Sequence, residues 1–289
     1  MTLTSLAPAK INRELRVGGF RSDGYHEIYS RMVAIDLCDR LIVEASNELD
    51  FSCDDPAVPL GDANLVVRAA KLLAARAGVR ATGRIRLEKR VPMGGGLGGG
   101  SADAAIALKL LARFWNLGAP SAEVSLSGIA AEIGSDVPFF LTGGQADVRG
   151  RGEIVTPAED SRDADLVLLV PPFSISTAGV YRAYGGRGRL PATLSVDAAG
   201  AAAPYLGPND LAPAVLQMEP RMQAYLESAA RVTSDFAISG SGATIVLCGV
   251  AADDQRKLAQ RHPEARFVRC RPLSRTAYSD RTNPTGGAP

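Results

Sequence analysis

A run of glycines is the feature of this sequence that most directly indicates chemistry. Six of the seven residues from Gly94 to Gly100 are glycine. Glycine leaves the backbone amides uncovered and allows positive φ, so such a loop can wrap closely around a ligand. Where the loop enters a helix, free amides and the helix dipole both attract an anion such as phosphate. The residues expected to bind a phosphate donor are Pro92, Met93, Gly94, Gly95, Gly96, Leu97, Gly98, Gly99, Gly100 and Ser101.

Two common phosphate-binding patterns fit this loop poorly. A Walker A loop needs a lysine before its serine or threonine, whereas a glycine precedes Ser101. The dinucleotide-binding pattern GxGxxG is met at Gly94, Gly96 and Gly99, but the preceding strand pattern is half charged rather than apolar. Nor does an acidic residue stand clearly about 20 positions further on. A flexible linker is a further alternative, which the close flanking by strand and helix patterns disfavours.

The patterns around the loop predict the elements that hold it. Residues Gly83–Val91 alternate apolar and charged side chains, which predicts a strand with one wet face. An apolar stripe predicts a helix over Asn64–Arg76, and another predicts a helix over Ala104–Asn116 that Gly118 would end. The loop is therefore expected to connect a strand to a helix.

The second half of the chain is predicted to form an α+β domain. Its boundary is placed in the polar stretch Arg149–Asp163, which gives domains of residues 1–157 and 158–278. The stretch Tyr184–Pro208 is expected to be a long surface connection, and the tail, residues 279–289, to be disordered. The predicted elements are strands at Leu166–Val170 and Arg266–Cys270, a strand pair around Ser239–Gly242, and helices at Asn209–Met218, Arg221–Ala229 and Asp253–Arg261.

Length and composition limit the class of protein. The 289 residues suit about two domains, and 46% hydrophobic with 22% charged residues excludes a largely disordered chain. A net charge of +1 gives no global attraction to nucleic acid or acidic membranes, so an anionic ligand needs a local site. Four cysteines without a CxxC motif and two distant histidines argue against zinc. Without a signal-peptide or membrane-spanning pattern, the protein is expected to be cytoplasmic.

Four more segments complete a recognisable set: PAKIN at residues 8–12, DGYHE at 23–27, GSDVPFF at 134–140 and SGSGA at 239–243. Together with the glycine loop, and in the same order, they resemble the motifs of the GHMP kinases, named for galactokinase, homoserine kinase, mevalonate kinase and phosphomevalonate kinase. The resemblance covers about residues 8–271. PAKIN with DGYHE is similar to the branch of this superfamily that phosphorylates a cytidyl diphosphate alcohol.

The resemblance implies a two-domain GHMP-kinase fold of the α/β class, in its α+β form. The N-terminal domain would carry the glycine loop, and a ferredoxin-like C-terminal domain would close over the substrate. ATP and Mg²⁺ are the implied cofactors. The implied reaction moves the γ-phosphoryl group to the tertiary 2-hydroxyl of 4-diphosphocytidyl-2-C-methyl-D-erythritol, in non-mevalonate isoprenoid synthesis. The metal ligands and the choice between monomer and homodimer stay open.

The resemblance assigns catalysis to Asp136 and Lys10. Asp136 would accept the proton of the attacking hydroxyl, although an aspartate before Val137-Pro138 is locally also a common helix N-cap. Lys10, alone more typical of a solvated side chain, would keep Asp136 ionised and offset charge on the phosphoryl oxygens. Asn12 follows two residues along the same strand, so it faces the same side and would hydrogen-bond the substrate.

The implied binding residues fall into two groups. For the substrate, Tyr25 would form one wall of a cytosine pocket, His26 would bind the base edge, and Tyr181 would form the opposite wall, with Thr177 nearby. Taken alone, Tyr25 and His26 would be ordinary turn residues. On the nucleotide side, Asn64 would lie near adenine. Ser101 would lie near the phosphates and metal while also capping its helix, and the 239–242 loop would pack beside the glycine loop or be only a hairpin turn.

Some features depart from the motifs or compete with this interpretation. The first strand continues with the charged stretch Arg13–Arg16, which predicts an altered pocket lining or a more exposed strand. Ala102 stands where a second loop serine is frequent. Arg149 and Arg151 are candidates for binding phosphate, but both are expected on a solvated face instead. One alternative is another small-alcohol kinase, such as a mevalonate or homoserine kinase, which would need no base pocket. The other is a catalytically inactive nucleotide-binding regulator, which would be free to lose its catalytic pair.

Overall fold

The computed structural model describes residues 1–118, 125–186, 188–198 and 204–286 of the chain. These residues form two sheets with helices packed against them, and the chain passes from the first sheet to the second after residue 157. Within the described ranges, no helix combines the length and apolar character that crossing a membrane requires.

The first sheet is built around two long antiparallel strands. Its strands are β1 Thr2–Phe20, β2 His26–Glu44, β3 Leu49–Cys53, β4 Gly83–Glu88, β5 Gln145–Gly150 and β6 Ile154–Pro157. They run in the order β3-β4-β2-β5-β6, and β1 pairs with β2 in addition. In β4 the apolar residues Ile85 and Leu87 are buried and the arginines between them are exposed, as the alternation predicts.

Four helices belong to the first sheet: α1 Leu65–Ala77, α2 Gly99–Phe114, α3 Leu126–Ile133 and α4 Val137–Thr142. Helix α1 matches its prediction within a residue, because the Asn64 side chain caps its start and Gly78 ends it at φ 65°. Helix α2 begins at Gly99, earlier than the predicted Ala104. Because glycine is a poor helix former, the glycines at the start of α2 gave no helix signal in the sequence, and the first turn of the helix depends on packing.

The second sheet has the ferredoxin-like arrangement that the motif resemblance implies. Its strands are β7 Leu166–Val170, β8 Phe236–Ile238, β9 Ile245–Cys248 and β10 Arg266–Cys270. They are antiparallel in the order β10-β7-β9-β8, with helices after β7 and between β9 and β10. The helices of this half are α5 Thr177–Tyr184, α6 Ser195–Ala198, α7 Ala212–Met218, α8 Met222–Ala230, α9 Ala252–Arg261 and α10 Arg275–Thr282.

The expectation of a disordered tail is wrong for residues 279–286. Helix α10 extends to Thr282, and the buried Tyr278 hydroxyl donates a hydrogen bond to the Phe140 carbonyl at 2.5 Å. Thr285 pairs with Thr4 at the start of β1. The end of the chain therefore packs against the first domain, and residues 287–289 lie outside the described part.

The charged stretch of β1 and the predicted surface connection are also different from expectation. Arg13 and Glu14 are buried, so the expected more exposed strand is wrong. Arg13 Nε donates to the carbonyl of Tyr205 at 2.9 Å, and Glu14 accepts from the Ser195 hydroxyl at 2.7 Å. Tyr205 is itself fully buried, so the connection Tyr184–Pro208 is not wholly a surface segment. Its residues 187 and 199–203 lie outside the described ranges.

Candidate active site

A cavity of about 870 Å³ collects the residues that the sequence analysis assigned to catalysis and binding. The glycine loop and β1 line it from the first domain, and α5 with the Gly240–Ser241 turn lines it from the second. The predicted residues on its wall are Lys10, Asn12, Tyr25, His26, Asn64, Asp136, Thr177 and Tyr181, with the whole segment Pro92–Ser101. Their proximity was predicted from motifs that are far apart in the chain, and their individual roles stay predictions.

Backbone contacts from both domains hold the glycine loop. The carbonyl of Leu97 accepts a hydrogen bond from the Lys10 amide at 2.9 Å, and that of Gly96 accepts one from the Ser239 hydroxyl at 3.0 Å. Gly96 has a positive φ of 73°, and a Cβ there would collide with the Ser239 carbonyl oxygen. The residue at this position must therefore be glycine for the turn Ser239–Gly242 to pack against the loop.

Lys10 and Asn12 lie side by side on an irregular part of β1. The register with β2 shifts between Pro8 and Lys10 and again between Asn12 and Glu14, and such bulges re-aim side chains beside active sites. Lys10 Nζ donates to Asn12 Oδ1 at 2.5 Å, and Asn12 Nδ2 donates to the Ser30 hydroxyl at 2.7 Å. These bonds fix the Asn12 amide with its oxygen towards the lysine.

Asp136 completes a charged pair with Lys10. Lys10 Nζ lies 3.7 Å from Asp136 Oδ2, and the side chains are 4% and 33% exposed. Burial lowers the pKa of Lys10 below its usual value, while the negative charge of the nearby Asp136 opposes that shift. Asp136 stands just before α4, yet its side chain makes no capping hydrogen bond. The carboxylate is thus accessible from the cavity rather than occupied by the helix end.

Aromatic rings surround His26 at another part of the cavity. The centroid of its ring lies 4.1 Å from that of Phe20 and 5.5 Å from that of Tyr181. His26 Nδ1 lies 3.2 Å from the Gly18 carbonyl oxygen, whereas the buried Nε2 has no partner among the described residues. A proton on Nδ1 would be donated to that carbonyl and leave Nε2 as an acceptor. The exposed ring of Phe20 beside an unused acceptor suits a planar base carrying an amino group.

Two predicted residues already have partners within the protein, and a third lacks its expected capping role. Asn64 Oδ1 accepts from the Val66 amide at 2.8 Å, so this residue caps α1 as well as lining the cavity. The Thr177 hydroxyl forms a hydrogen bond with the Ser241 hydroxyl at 2.8 Å and so connects α5 to the turn Ser239–Gly242. Ser101 lies in the first turn of α2, but Gly98 occupies the N-cap position, so the expected capping role of the serine is wrong.

Comparisons with known proteins agree with this geometry. A model of the N-terminal domain of GHMP kinases matches residues 64–144, a range that contains α1, the glycine loop and α4. A 4-diphosphocytidyl-2-C-methyl-D-erythritol kinase from Pelotomaculum thermopropionicum is 41% identical over 274 residues, which cover 91% of this chain and 94% of the relative. The chain belongs to the 4-diphosphocytidyl-2-C-methyl-D-erythritol kinase family. A relative of the same name from Nocardioides is 40% identical and covers 88% of this chain and 90% of its own length.

Solved structures place the fold in the same group. A crystal structure of 4-(cytidine 5'-diphospho)-2C-methyl-D-erythritol kinase matches with a TM-score of 0.76 and 33% identity, covering 93% of this chain and 98% of that one. A mevalonate kinase structure matches with a TM-score of 0.66 but only 13% identity, over 94% and 99% of the two chains, so that likeness concerns the fold alone.

A buried charge cluster behind the glycine loop, formed by Asp39, Lys89 and Asp103, was not predicted from the sequence. Lys89 Nζ lies 2.5 Å from Asp39 Oδ2 and 3.0 Å from Asp103 Oδ2. Asp39 Oδ1 also accepts from the amides of Arg90 and Val91, immediately before the loop. Burial, followed by the Asp39 carboxylate, raises the pKa of Asp103 well above its usual value, and Lys89 opposes that shift. The cluster ties β2, the start of the loop and α2 together.

The expectation of a solvated face for Arg149 and Arg151 holds for only one of them. Arg149 is exposed, and its guanidinium lies over the Tyr29 ring, outside the cavity. Arg151 is half-buried and lines the cavity, so its predicted position on a solvated face is wrong. Arg149 lies in β5, whereas Arg151 begins the tight turn between β5 and β6.

Proposed function

We propose that the chain transfers the γ-phosphoryl group of ATP to the 2-hydroxyl of 4-diphosphocytidyl-2-C-methyl-D-erythritol, in the non-mevalonate route to isoprenoid precursors. The observation that carries this proposal is one cavity that joins the glycine loop, the Lys10–Asp136 pair and the rings around His26. A nucleotide donor, an acceptor hydroxyl and a stacked base need these three features. The relatives at 41% and 40% identity bear the name of this kinase.

Asp136 and Lys10 have complementary roles in the proposed reaction. The substrate hydroxyl oxygen forms a bond to the γ-phosphorus, the bond from that phosphorus to the β–γ bridging oxygen breaks, and ADP leaves. Asp136 accepts the hydroxyl proton and passes it to solvent through its exposed side. The phosphoryl transition state is loose, so orienting the hydroxyl contributes more than basicity. The buried ammonium of Lys10, 3.7 Å from Asp136, stabilises negative charge on the transferred group.

The glycine loop and Ser101 provide the donor side of the site. Uncovered loop amides suit the ATP phosphates, and the Ser101 hydroxyl lines the same cavity. Within the described ranges, no cluster of three acidic, histidine or cysteine side chains is placed to hold a metal. The Ser101 hydroxyl together with the phosphate oxygens of ATP would suit Mg²⁺, which needs few protein oxygens when phosphates and water complete its coordination shell. Ser101 would hold the ion, which when bound neutralises phosphate charge.

The base end of the cavity favours this reaction over those of other small-alcohol kinases. Mevalonate and homoserine carry no ring to stack, whereas Phe20 exposes its ring beside the buried imidazole of His26, and the exposed Tyr25 lines the same cavity. The intact pair of Lys10 and Asp136 disfavours an inactive regulator, which would not need a buried lysine beside an accessible carboxylate.

Analysis of the product tests the proposed reaction directly. The purified protein would be incubated with ATP, Mg²⁺ and the cytidyl substrate, and the product examined by ³¹P nuclear magnetic resonance. The account predicts a new phosphomonoester without coupling to a carbon-bound hydrogen across its ester oxygen, because the tertiary carbon has none. A coupled signal would place the phosphoryl group on a different hydroxyl, and the absence of any new signal would contradict the activity.

A further inference from the structure

Arg151 lines the cavity that the proposed reaction uses. Its guanidinium carbon is 5.0 Å from the centroid of the Tyr25 ring, at the base end. The next residue, Gly152, packs against Ser135, since a Cβ on this glycine would lie 3.1 Å from the serine carbonyl oxygen. Ser135 immediately precedes Asp136, at the reacting end. The Arg151 guanidinium thus lies near the proposed base-binding ring, and the backbone that follows it packs against the segment that carries Asp136.

The arginine is held in position but not neutralised. Its Nη2 donates to the carbonyl of Ala131 at 2.7 Å, and its backbone amide donates to Glu153 at 2.7 Å. None of the described carboxylates forms an ion pair with its guanidinium, which has five N–H donors and gives one to Ala131. The remaining donors belong to a half-buried side chain that lines the cavity.

The other cations on the cavity wall are less suited to an anionic ligand between the two ends. Lys10 is paired with Asp136, and Lys89 is enclosed by the two carboxylates of the buried cluster. Arg182 is exposed on α5 and makes none of the contacts that fix Arg151. Arg151 is therefore the cation whose position is fixed and whose charge is available.

We infer that Arg151 binds the diphosphate of the cytidyl substrate and so helps to determine specificity for a nucleoside diphosphate alcohol. The inference rests on the proposed function, because in such a substrate the diphosphate links the base to the acceptor alcohol. With the base at Tyr25 and the alcohol at Asp136, the diphosphate passes the guanidinium. A planar fork of N–H groups matches two phosphate oxygens better than a single ammonium does.

The test compares ligands that differ only in the diphosphate. Isothermal titration calorimetry would measure the affinities of CDP and cytidine for the whole enzyme, with the donor site filled by a non-hydrolysable ATP analogue and Mg²⁺. The variant Arg151→Gln keeps a donor for the Ala131 carbonyl and removes the charge. The matched control is Arg149→Gln, an exposed arginine two residues earlier that lies outside the cavity.

The inference predicts that Arg151→Gln reduces the preference for CDP over cytidine by about tenfold, the scale of one hydrogen bond to a charged group. The affinity for cytidine and the preference measured with Arg149→Gln should stay at wild-type values. Arg151→Lys, which keeps a charge without the fork, should retain part of the preference and provides a second variant should the glutamine variant misfold.

Three results would overturn the inference. One is an unchanged preference in Arg151→Gln. The second is an equal loss for CDP and cytidine, which would mean that the arginine acts only through Tyr25. The third is a loss confined to ADP, titrated without the analogue, which would place Arg151 on the donor side. Because binding needs no turnover, an enzyme that discriminates CDP from cytidine but forms no phosphorylated product would refute the proposed reaction and leave the role of Arg151 standing.

Discussion

The ammonium nitrogen of Lys10 lies 3.7 Å from a carboxylate oxygen of Asp136, with the lysine enclosed and the aspartate facing the cavity. Replacing Asp136 with asparagine removes the proton acceptor and preserves its size. We expect kcat to fall by on the order of 10²-fold or more, the scale of general-base effects, with little change in the KM for ATP. Steady-state kinetics on a variant with an unchanged melting temperature would test this. Turnover near the wild-type value would remove Asp136 from the mechanism.

The exposed ring of Tyr25 is expected to contribute to binding of the cytidyl substrate but not to binding of ATP. Stacking of a base on an aromatic ring contributes about 1–3 kcal/mol, so Tyr25→Ala should raise the KM for the cytidyl substrate by roughly tenfold or more. The KM for ATP should hardly change, because the ring belongs to the proposed base pocket rather than to the glycine loop. The two KM values would be measured in the same assay, each at saturation of the other substrate. Equal increases in both would contradict a separate base pocket.

Gly96 is expected to tolerate no side chain. A methyl group there meets the Ser239 carbonyl, which is backbone and cannot rotate away, and the positive φ of 73° adds strain. Gly96→Ala should therefore lower the melting temperature and raise the KM for ATP. The control is Gly128→Ala in α3, where an added Cβ meets only ordinary contacts at 3.8 Å and should be neutral or slightly stabilising. A Gly96→Ala protein as stable as the control would show that the two domains do not meet as described.

The buried cluster behind the loop predicts a pH dependence of stability. Because the pKa of Asp103 is raised in the folded protein, the folded state binds more protons than the unfolded chain above about pH 3.9. The free energy of unfolding contributed by this group therefore rises as pH falls through the raised pKa. The variant Asp103→Asn has no titrating carboxyl at this position. The wild type should therefore gain stability relative to the variant as pH is lowered from neutral.

Chemical denaturation at several pH values would measure that difference. The control is Asp62→Asn, which removes a carboxylate that is 77% exposed and paired with Lys71 at the surface. Surface pairs contribute about 0–1 kcal/mol, and this variant should follow the wild-type pH profile. A difference between wild type and Asp103→Asn that is constant with pH would show that the carboxyl has its ordinary pKa.

Local sequence patterns predicted the elements that carry clear start and stop signals or a strict alternation of apolar and charged residues. Helix α1 has both an asparagine cap and a glycine stop, and β4 alternates strictly, so each was placed nearly correctly. Helix α10 could not be found in this way, because its residues are mostly polar. It is stabilised by long-range contacts, such as the hydrogen bond from Tyr278 to Phe140, 138 residues away.

In the candidate site, too, some residues could be predicted from local sequence and others could not. Lys10, Asp136 and the glycine loop were found because their segments resemble known motifs, and the structure places them on one cavity. The cluster of Asp39, Lys89 and Asp103 gives no local signal, since Lys89 lies 50 and 14 residues from its two partners. The position of Arg151 likewise depends on a turn and on contacts with Ala131 and Tyr25, which its neighbours in the sequence do not reveal.

The most direct test of the central claim is ADP release with a panel of acceptors. The wild-type protein would be supplied with ATP and Mg²⁺ and with the cytidyl substrate, mevalonate or homoserine in parallel, and Asp136→Asn would serve as the inactive control. The account predicts ADP formation only with the cytidyl substrate and its loss in the variant. ADP formed with mevalonate or homoserine but not with the cytidyl substrate would contradict it.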